Sequence, residues 1–322
     1  DLAFEEDEGG NWQLRGLTGD RETELKVILE PLFYSRSIAV DDISIDFRFY
    51  SGQSFSVRGS ALRLDNDSGF HRAELSVSMG EQKKPAYVIV EGRGDPLDLE
   101  SFDADGYIRI EQFNLNQPFL QFAQRLLPAL FTRIANLDAQ ANGQIWFDVH
   151  PGGAVDFEGR VAIDRLVVKG AAELPPFSNI GTELTGWYTP GVDWGLRLQD
   201  FKFVWADTRP QPTNLVLSQS VGAHWEDFTL AVESLDLASI SKVLTEVWVG
   251  NEAVVEWLDK LALKGQLNDV RVGKKTGEYF AEGRLQAIHS LSTRGIPGLS
   301  GLDGQFYLRD SNAVVKIDDS DG

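Results

Sequence analysis

Apolar and polar residues alternate along much of this chain, and a period of two predicts β-strands. The alternation dominates from about Asn11 to Gly94, where Gly- and Ser-containing segments such as 51–52 and 66–69 separate short runs. This pattern is typical of an antiparallel meander whose strands have one apolar and one polar face. The alternating apolar positions of this region are Ile43, Ile45, Phe47, Phe49, Phe55, Val57, Leu62, Leu64, Leu75, Val77 and Met79.

The same alternation returns after residue 143, and its principal apolar positions are Trp194, Leu196, Leu198, Phe201, Phe203, Trp205, Phe228, Leu230, Val232, Phe306 and Leu308. One further run, Tyr87–Val90, is continuously apolar and predicts a strand covered on both faces. In all, the pattern predicts about fifteen strands, more than one flat sheet usually holds. We therefore expect the strands to curl into a groove, to close into a barrel or to split into sandwiches.

Two stretches carry apolar residues at three- and four-residue steps, which is the spacing of an amphipathic helix. The first spans about Gln117–Asn136 and contains Pro128, which predicts a kink or a break into two short helices. The second has one apolar stripe over 240–247 and another over 254–261. Gly250-Asn251, between these stripes, predicts a helix end followed by an N-cap.

The two helical stretches lie in two copies of one sequence unit. Phe113-Asn114-Leu115 matches Leu235-Asp236-Leu237, and Gly143-Gln144-Ile145 matches Gly265-Gln266-Leu267, both at an offset of 122 residues. Further on, Glu158-Gly159-Arg160 recurs as Glu282-Gly283-Arg284. A repeat of this length predicts supersecondary units with a continuous core. We divide the chain into N-terminal strands (1–110), a first helix-plus-strands unit (111–232) and a second, truncated unit (233–322).

Charge and composition exclude several classes of function. The 322 residues carry a formal net charge of −19, whereas nucleic-acid binding and adsorption to anionic membranes need clustered Lys and Arg. Without cysteine there is no disulfide, thiol chemistry or thiolate metal site. No window approaches the roughly 18 apolar residues of a membrane span, and the first residues lack a signal-peptide pattern. We expect the chain to be a piece of a longer protein whose targeting and anchoring segments lie elsewhere.

No motif predicts catalysis. The four histidines (His71, His150, His224 and His289) lack the spacing of a helical zinc site, so we interpret them as surface or structural residues. The G-K-K-T fragment at 273–276 lacks the upstream glycine of a phosphate loop, and the D-A-D-G turn at 103–106 lacks the flanking carboxylates of a calcium loop. We therefore expect a protein that is not an enzyme and has neither cofactor nor metal.

Glycine- and proline-containing turns carry a resemblance to a known family. The segment GIPGLSGLDG at 295–304 precedes an apolar strand at 305–308, and the first unit has a looser version, PFSNIGTELTG, at 176–186. Together with the helix-then-G-Q-[IL] unit and the E-G-R strand, these motifs resemble the YhdP branch of the AsmA-like proteins, from about Gly106 to the end.

The resemblance implies a fold and a function. Members of the family are large envelope proteins of Gram-negative bacteria, anchored in the inner membrane and extending across the periplasm. It implies that this chain is an internal stretch of a bridge-like phospholipid carrier, built as a long U-shaped β-groove and without catalytic residues. Phospholipids are the expected partner. Membranes would be reached through other parts of the full-length protein, and envelope proteins are possible further partners.

We therefore expect a mainly β protein: an elongated antiparallel sheet curled into a U-shaped groove, with two inserted helical segments that plug, line or brace it. The alternating positions named above form the predicted lipid-binding groove. Two other interpretations remain open. One is a structural or adhesive β-solenoid whose apolar faces are fully packed. The other is an envelope glycan-binding module, suggested by Trp187, Trp194, Trp205 and Trp225.

Overall fold

The computed structural model of the chain describes residues 2–7, 12–15, 30–50, 52, 54–79, 84–115, 136–169, 175–220, 227–241, 260–293, 297–310 and 312–318. These residues fall into two compact units. Unit 1 comprises Asp1–Thr132 and Leu137–Val161, and unit 2 comprises Arg133–Asn136 and Ala162–Gly322. The predicted division at 110/111 and 232/233 concerns sequence repeats and stays a prediction.

Unit 1 contains eight strands and the first part of a ninth. They are β1 (Leu2–Glu6), β2 (Trp12–Leu14), β3 (Ser37–Arg48), β4 (Ser54–Asp67), β5 (Phe70–Met79), β6 (Ala86–Arg93), β7 (Asp103–Leu115), β8 (Asn136–Val149) and the start of β9 (Val155–Lys169). From β3 to β8, each strand pairs antiparallel with the next. At the other side of β3, β1 pairs with it in parallel and with β2 antiparallel.

Unit 2 continues the same order. Its strands are the end of β9, then β10 (Phe177–Thr189), β11 (Asp193–Trp205), β12 (Thr213–Ser220), β13 (Phe228–Asp236), β14 (Lys264–Lys275), β15 (Glu278–Ser290), β16 (Leu299–Arg309) and β17 (Asn312–Ile317). Every strand from β10 to β16 pairs antiparallel with its successor. The prediction of a mainly β, antiparallel meander is therefore confirmed, and the described residues form seventeen strands where the sequence pattern predicts about fifteen.

One part of the β region was predicted wrongly. Residues 30–34 are helical, inside the stretch read as β throughout. Pro31 is compatible with the first turn of a helix, where its missing N–H costs nothing. At the other end, the Asn66 side-chain amide donates to the carbonyls of Leu32 and Ser35, at 2.9 and 2.6 Å. A tertiary contact from β4 thus stabilises this helix, which is too short to show the helical period of apolar residues in the sequence.

The predicted helical inserts lie mostly outside the described residues. The first, about Gln117–Asn136, does so except for Asn136, which begins β8. Within the second, residues 237–241 and 260–261 are helical. The Asp236 carboxylate accepts the backbone N–H of Ser239 at 2.8 Å and so caps the start of 237–241. The kink at Pro128 and the break at Gly250-Asn251 fall on residues that are not described.

The repeat is visible in the order of the strands. The matched motifs place β7, β8 and β9 in correspondence with β13, β14 and β15, and the two Gly/Pro turns lead into β10 and β16. The strand registers differ, however. Phe113 pairs with Ala141, whereas its counterpart Leu235 pairs with Leu267. The second hairpin therefore encloses four more residues between paired positions. On the other side of the β7 register shift the difference is five, because Ile110 pairs with Gly143 whereas its counterpart Val232 pairs with Val270.

Several strands contain a one-residue bulge with a left-handed residue. Register shifts accompany Gln112 (φ 51°) in β7, Asp200 (φ 49°) in β11 and Ala287 (φ 50°) in β15. The N–H of each of these residues donates to an Asn or Asp side chain on the following strand: to Asn142 at 2.9 Å, Asn214 at 3.0 Å and Asp303 at 2.7 Å. A recurring side-chain acceptor thus satisfies the amide that each bulge removes from the ladder.

Candidate functional site

Unit 1 presents an apolar face built from positions paired in register. Directly paired residues project from the same side of a sheet, so each register row marks one face. One row crosses six neighbouring strands, and its members are Val40, Leu62, Leu75, Val88, Ile108 and Ile145. A second row also crosses six strands and consists of Ile38, Leu64, Ala73, Val90, Gly106 and Phe147. These two rows define the apolar face of unit 1.

A bulge explains how the predicted positions of β4 share this face. The predicted residues change from odd numbers (Phe55 and Val57) to even numbers (Leu62 and Leu64), which in a regular strand would place them on opposite sides. The register with β5 shifts by one residue between Gly59 and Ala61, so Val57 pairs with Met79 and Leu62 with Leu75. Val57, Leu62 and Leu64 therefore match alternate residues of β5, namely Met79, Leu75 and Ala73.

The predicted positions of β3 belong to the same set. Ile43 is in register with Gly59, which is itself paired with Val77, and Ile45 is in register with Val57. Phe47 stacks on Phe4 of β1, with ring centroids 5.5 Å apart and planes inclined by 16°. Phe49 follows the end of β3 and is buried.

The apolar face of unit 2 is longer. One register row runs across eight consecutive strands, and its members are Gly186, Leu196, Leu217, Leu230, Val272, Ala281, Leu308 and Ala313. A neighbouring row contains Leu184, Leu198, Leu215, Val232 and Val270. The predicted residues Phe228 and Phe306 lie two positions from Leu230 and Leu308, and therefore on the same face.

Aromatic rings gather at one end of β11. The bulge at Asp200 places Phe201, Phe203 and Trp205 on the side of Leu196 and Leu198. Phe203 lies 5.8 Å from Phe201 and 5.8 Å from Phe177 between ring centroids. Trp205 is 2% exposed, and its indole N–H donates to the carbonyl of Pro175 at 3.0 Å. At the other end of β11, the Trp194 indole donates to Gln219 at 2.8 Å.

Most residues of the two apolar faces are half-buried, neither fully buried nor fully exposed. Val232 and Val270 are buried in unit 2, as is Leu64 in unit 1. In contrast, Leu196, Leu217 and Leu230 are half-buried, and Leu308 at the β16 end of the row is 39% exposed. Within each unit the structure thus brings the predicted residues onto one face, and much of that face remains accessible. Whether this face binds lipid stays a prediction.

Part of each apolar face was not predicted from the alternation of residues. The missed members in unit 1 are Val88, Val90, Ile108 and Ile145, and those in unit 2 are Leu215, Leu217, Val270 and Val272. Each strand contributes only two such residues in alternation, which is a short signal on its own. Their placement becomes evident only from the register with neighbouring strands.

The opposite face of unit 1 is charged. One register row there consists of Ser37, Asp65, Arg72, Glu91, Asp105 and Asp148. A hydrogen bond from the Ser37 hydroxyl at 2.7 Å, reinforced by Arg63, lowers the pKa of Asp65. The ammonium of Lys84, 2.9 Å from Glu111, lowers the pKa of that carboxyl in the same way. Hydrogen bonding to Glu74 and attraction by Glu91 raise the pKa of Arg72.

The histidines take part in structural contacts. His71 bonds Asn66 at 2.8 Å and the carbonyl of Gly94 at 3.0 Å, while His150 pairs with Asp156 at 2.9 Å. His289 accepts the N–H of Gly301 at 3.3 Å, and His224 lies outside the described residues. In the described part of the chain, no three His, Cys, Asp or Glu side chains are grouped so as to hold a metal ion.

Within the described ranges, no helix combines the length and the apolar character needed to cross a membrane.

The register rows define the class of this protein: an antiparallel β-meander of repeated strands, in which each of the two units has accessible apolar side chains on one face. In unit 1 the opposite face carries a row of charged side chains. A family model described as YhdP protein matches residues 4–321. The chain therefore belongs to the YhdP family, and the resemblance seen in the sequence is confirmed. Comparisons with curated proteins and with solved structures gave no match.

Proposed function

We propose that this chain is a stretch of a non-enzymatic conduit for phospholipids, whose acyl chains lie along the apolar faces. Membership of the YhdP family is consistent with lipid transport in the envelope. The observation that carries the proposal is the eight-strand apolar row of unit 2, whose central leucines are half-buried. In the conduit, lipids would pass through the periplasm between the inner and outer membranes.

The dimensions of the rows suit hydrocarbon chains. Neighbouring strands lie about 4.8 Å apart, so a row of eight strands extends about 34 Å across its sheet, and a row of six about 24 Å. One leaflet of a bilayer core is about 15 Å deep. Each row is thus longer than the depth that an acyl chain spans in one leaflet.

The energetics favour sliding over tight fixation. Each methylene removed from water contributes about 0.8 kcal/mol, and the contact is non-directional because it depends on buried area rather than on geometry. A row of similar aliphatic side chains therefore offers a chain nearly equal positions at successive strands. The net charge of −19 makes the surface unfavourable for anionic headgroups, so we place the headgroups in water at the border of the apolar face.

Cross-linking tests the proposal. A photoreactive phenylalanine analogue at Leu217, in the centre of the row, is expected to cross-link to phospholipid co-purifying with the chain. The same analogue at Val216, on the opposite face of the same strand, is the matched control. Mass spectrometry of the adducts identifies the lipid.

Three outcomes contradict the conduit. They are the absence of lipid adducts at Leu217, equal labelling at both positions, and the absence of lipid from the purified chain. If the side chain at position 217 reacts with no probe from solvent, the apolar face is fully packed. That result would instead support the alternative of a structural or adhesive solenoid.

A further inference from the structure

We infer that unit 1 has a second binding surface, on the face opposite its apolar rows, for an uncharged oligosaccharide. This surface, the aromatic platform, consists of Tyr87, Ile89, Tyr107, Arg109, Gln144 and Trp146. It is independent of the proposed lipid conduit, since it uses none of the residues of the apolar face.

Three neighbouring strands build the platform in two register rows. Tyr87, Arg109 and Gln144 are paired across β6, β7 and β8. The next row, two residues along each strand, contains Ile89, Tyr107 and Trp146. These positions alternate with Val88, Ile108 and Ile145, so they project from the other side of the sheet.

Two of the three rings of the platform are exposed, and that of Tyr107 is half-buried. Trp146 is 41% exposed and Tyr87 is 43% exposed. The rings of Trp146 and Tyr107 lie 5.3 Å apart between centroids at an angle of 44°. The guanidinium of Arg109 lies over the Tyr87 ring, 4.9 Å from its centroid. Exposed large aromatic side chains grouped on a polar face mark an interaction site, because such surface is otherwise unfavourable in water.

The size of the platform indicates a small ligand. Its outer strands are about 10 Å apart, and its two rows are about 7 Å apart along the strands. The resulting area, of the order of 100 Å², is far below the roughly 800 Å² that each partner contributes to a stable protein interface. A chain of two or three sugar rings has these dimensions.

The chemistry of the border also suits a sugar. A pyranose ring has faces of C–H bonds that stack on aromatic rings, and its hydroxyl groups project sideways toward donors and acceptors. Gln144 supplies both kinds of group, and Arg109 supplies donors. Asp105 and Asp148 are paired in the adjacent row, and both are exposed. Neither has an ion-pair partner among the described residues, so both are available as acceptors.

The charge distribution disfavours two other occupants. Arg109 occupies the middle of the platform and is paired with Glu111, 3.7 Å from its Nε. A basic peptide stacking on the same rings would still have to approach the guanidinium that lies over Tyr87. The carboxylates of Asp105 and Asp148 would repel an anionic lipid headgroup or an acidic glycan. An uncharged glycan meets neither repulsion.

Calorimetric titration of the purified chain tests the inference, with triacetylchitotriose, cellotriose and maltotriose as uncharged probes. At least one trisaccharide is expected to bind with saturation. Trp146→Ala should weaken that binding at least tenfold, and Trp146→Phe, which keeps a ring, should restore most of it. The matched control is Tyr307→Ala, which removes an aromatic side chain of similar exposure (39%) from unit 2. Melting temperatures establish that each variant is folded.

Saturable binding that depends on a ring at position 146 and is unaffected by Tyr307→Ala supports the platform. Absence of binding for all three trisaccharides overturns it, and so does equal weakening by the two alanine variants. Binding of a Lys-rich peptide that is lost in Trp146→Ala, without sugar binding, would instead assign the surface to a protein partner. Because lipid adducts at Leu217 are measured separately, failure here leaves the conduit untouched.

Discussion

A single charge in the centre of the eight-strand row provides a sharp test of the apolar face. Leu230 pairs with Leu217 on one side and with Val272 on the other, so a chain lying along the row must cross it. Leu230→Asp places a carboxylate in this path. The matched control is Thr229→Asp, which introduces the same charge one residue away on the opposite face.

The size of the effect follows from the strand spacing. One strand occupies about 4.8 Å of the path, roughly a third of the 15 Å depth of one leaflet. A sixteen-carbon chain buries methylenes worth about 13 kcal/mol at 0.8 kcal/mol each. A third of this is about 4 kcal/mol, and contact on only one side of the chain reduces it to about 2 kcal/mol. We therefore expect Leu230→Asp to weaken binding about 30-fold.

The assay is uptake of a fluorescent phospholipid by the purified chain, with circular dichroism to establish that each variant retains its β content. Thr229→Asp should bind lipid within twofold of the parent. The reasoning is refuted if folded Leu230→Asp takes up lipid as the parent does. Equal losses in both variants would refute it too, since they would point to net charge rather than to the apolar face.

Three further predictions concern the stability of unit 1. A Cβ at Gly106 would overlap the ring of Phe147, so Gly106→Val should lower the free energy of unfolding by about 1–3 kcal/mol. Phe147→Ala in the same background should relieve the overlap. Asn142→Ala should cost about 1 kcal/mol in chemical denaturation because a bulge amide loses its acceptor, whereas Asn142→Asp should not. Because its pKa is lowered in the fold, Asp65 contributes stability above its unfolded pKa that is lost as pH falls through the lower folded value. Ser37→Ala should therefore make melting temperature less dependent on pH below about pH 4, and an unchanged slope would contradict this.

Alternation was sufficient to predict the fold class and much of the apolar face. Runs such as Ile43–Phe47 and Trp194–Leu198 have few other interpretations, because a period of two places every apolar side chain on one side of a strand. The meander order also follows from the sequence, since short turns between such runs favour antiparallel neighbours. The strands and the turns between them depend on neighbouring residues in the sequence, so the sequence pattern is enough to predict them.

Bulges could not be located in this way. The switch from Val57 to Leu62 breaks the period of two, and only the register with β5 shows that both positions match the same face. A retrospective signal exists: polar residues such as Gln112 and Asp200 stand where the alternation changes parity. Asp and Asn tolerate left-handed backbone better than most residues, which makes Asp200 the easier of the two to recognise.

The run Tyr87–Val90 shows the opposite error. Its continuous apolar character predicted a strand covered on both faces, but Tyr87 is 43% exposed. Val88 and Val90 face the apolar rows, while Tyr87 and Ile89 belong to the aromatic platform. Burial on both sides and an exposed functional surface produce the same sequence pattern. Of the four tryptophans that suggested a glycan-binding module, Trp205 is buried, Trp187 and Trp194 are half-buried, and Trp225 lies outside the described residues. The indole of Trp146, which was not among them, is 41% exposed.

The register difference between the two repeated hairpins is four residues on one side of the β7 bulge and five on the other, and it bears on how such a chain can change in length. An insertion or deletion of two or four residues shifts the register of one strand against its neighbour and keeps every apolar side chain on its original face of the sheet. A change of one residue moves the apolar side chains of the following part of the strand to the opposite face. A left-handed bulge with its Asn or Asp acceptor would prevent this if it arose in the same step. Homologous hairpins should accordingly vary by even numbers, and an odd variation should be accompanied by a new acceptor on the following strand.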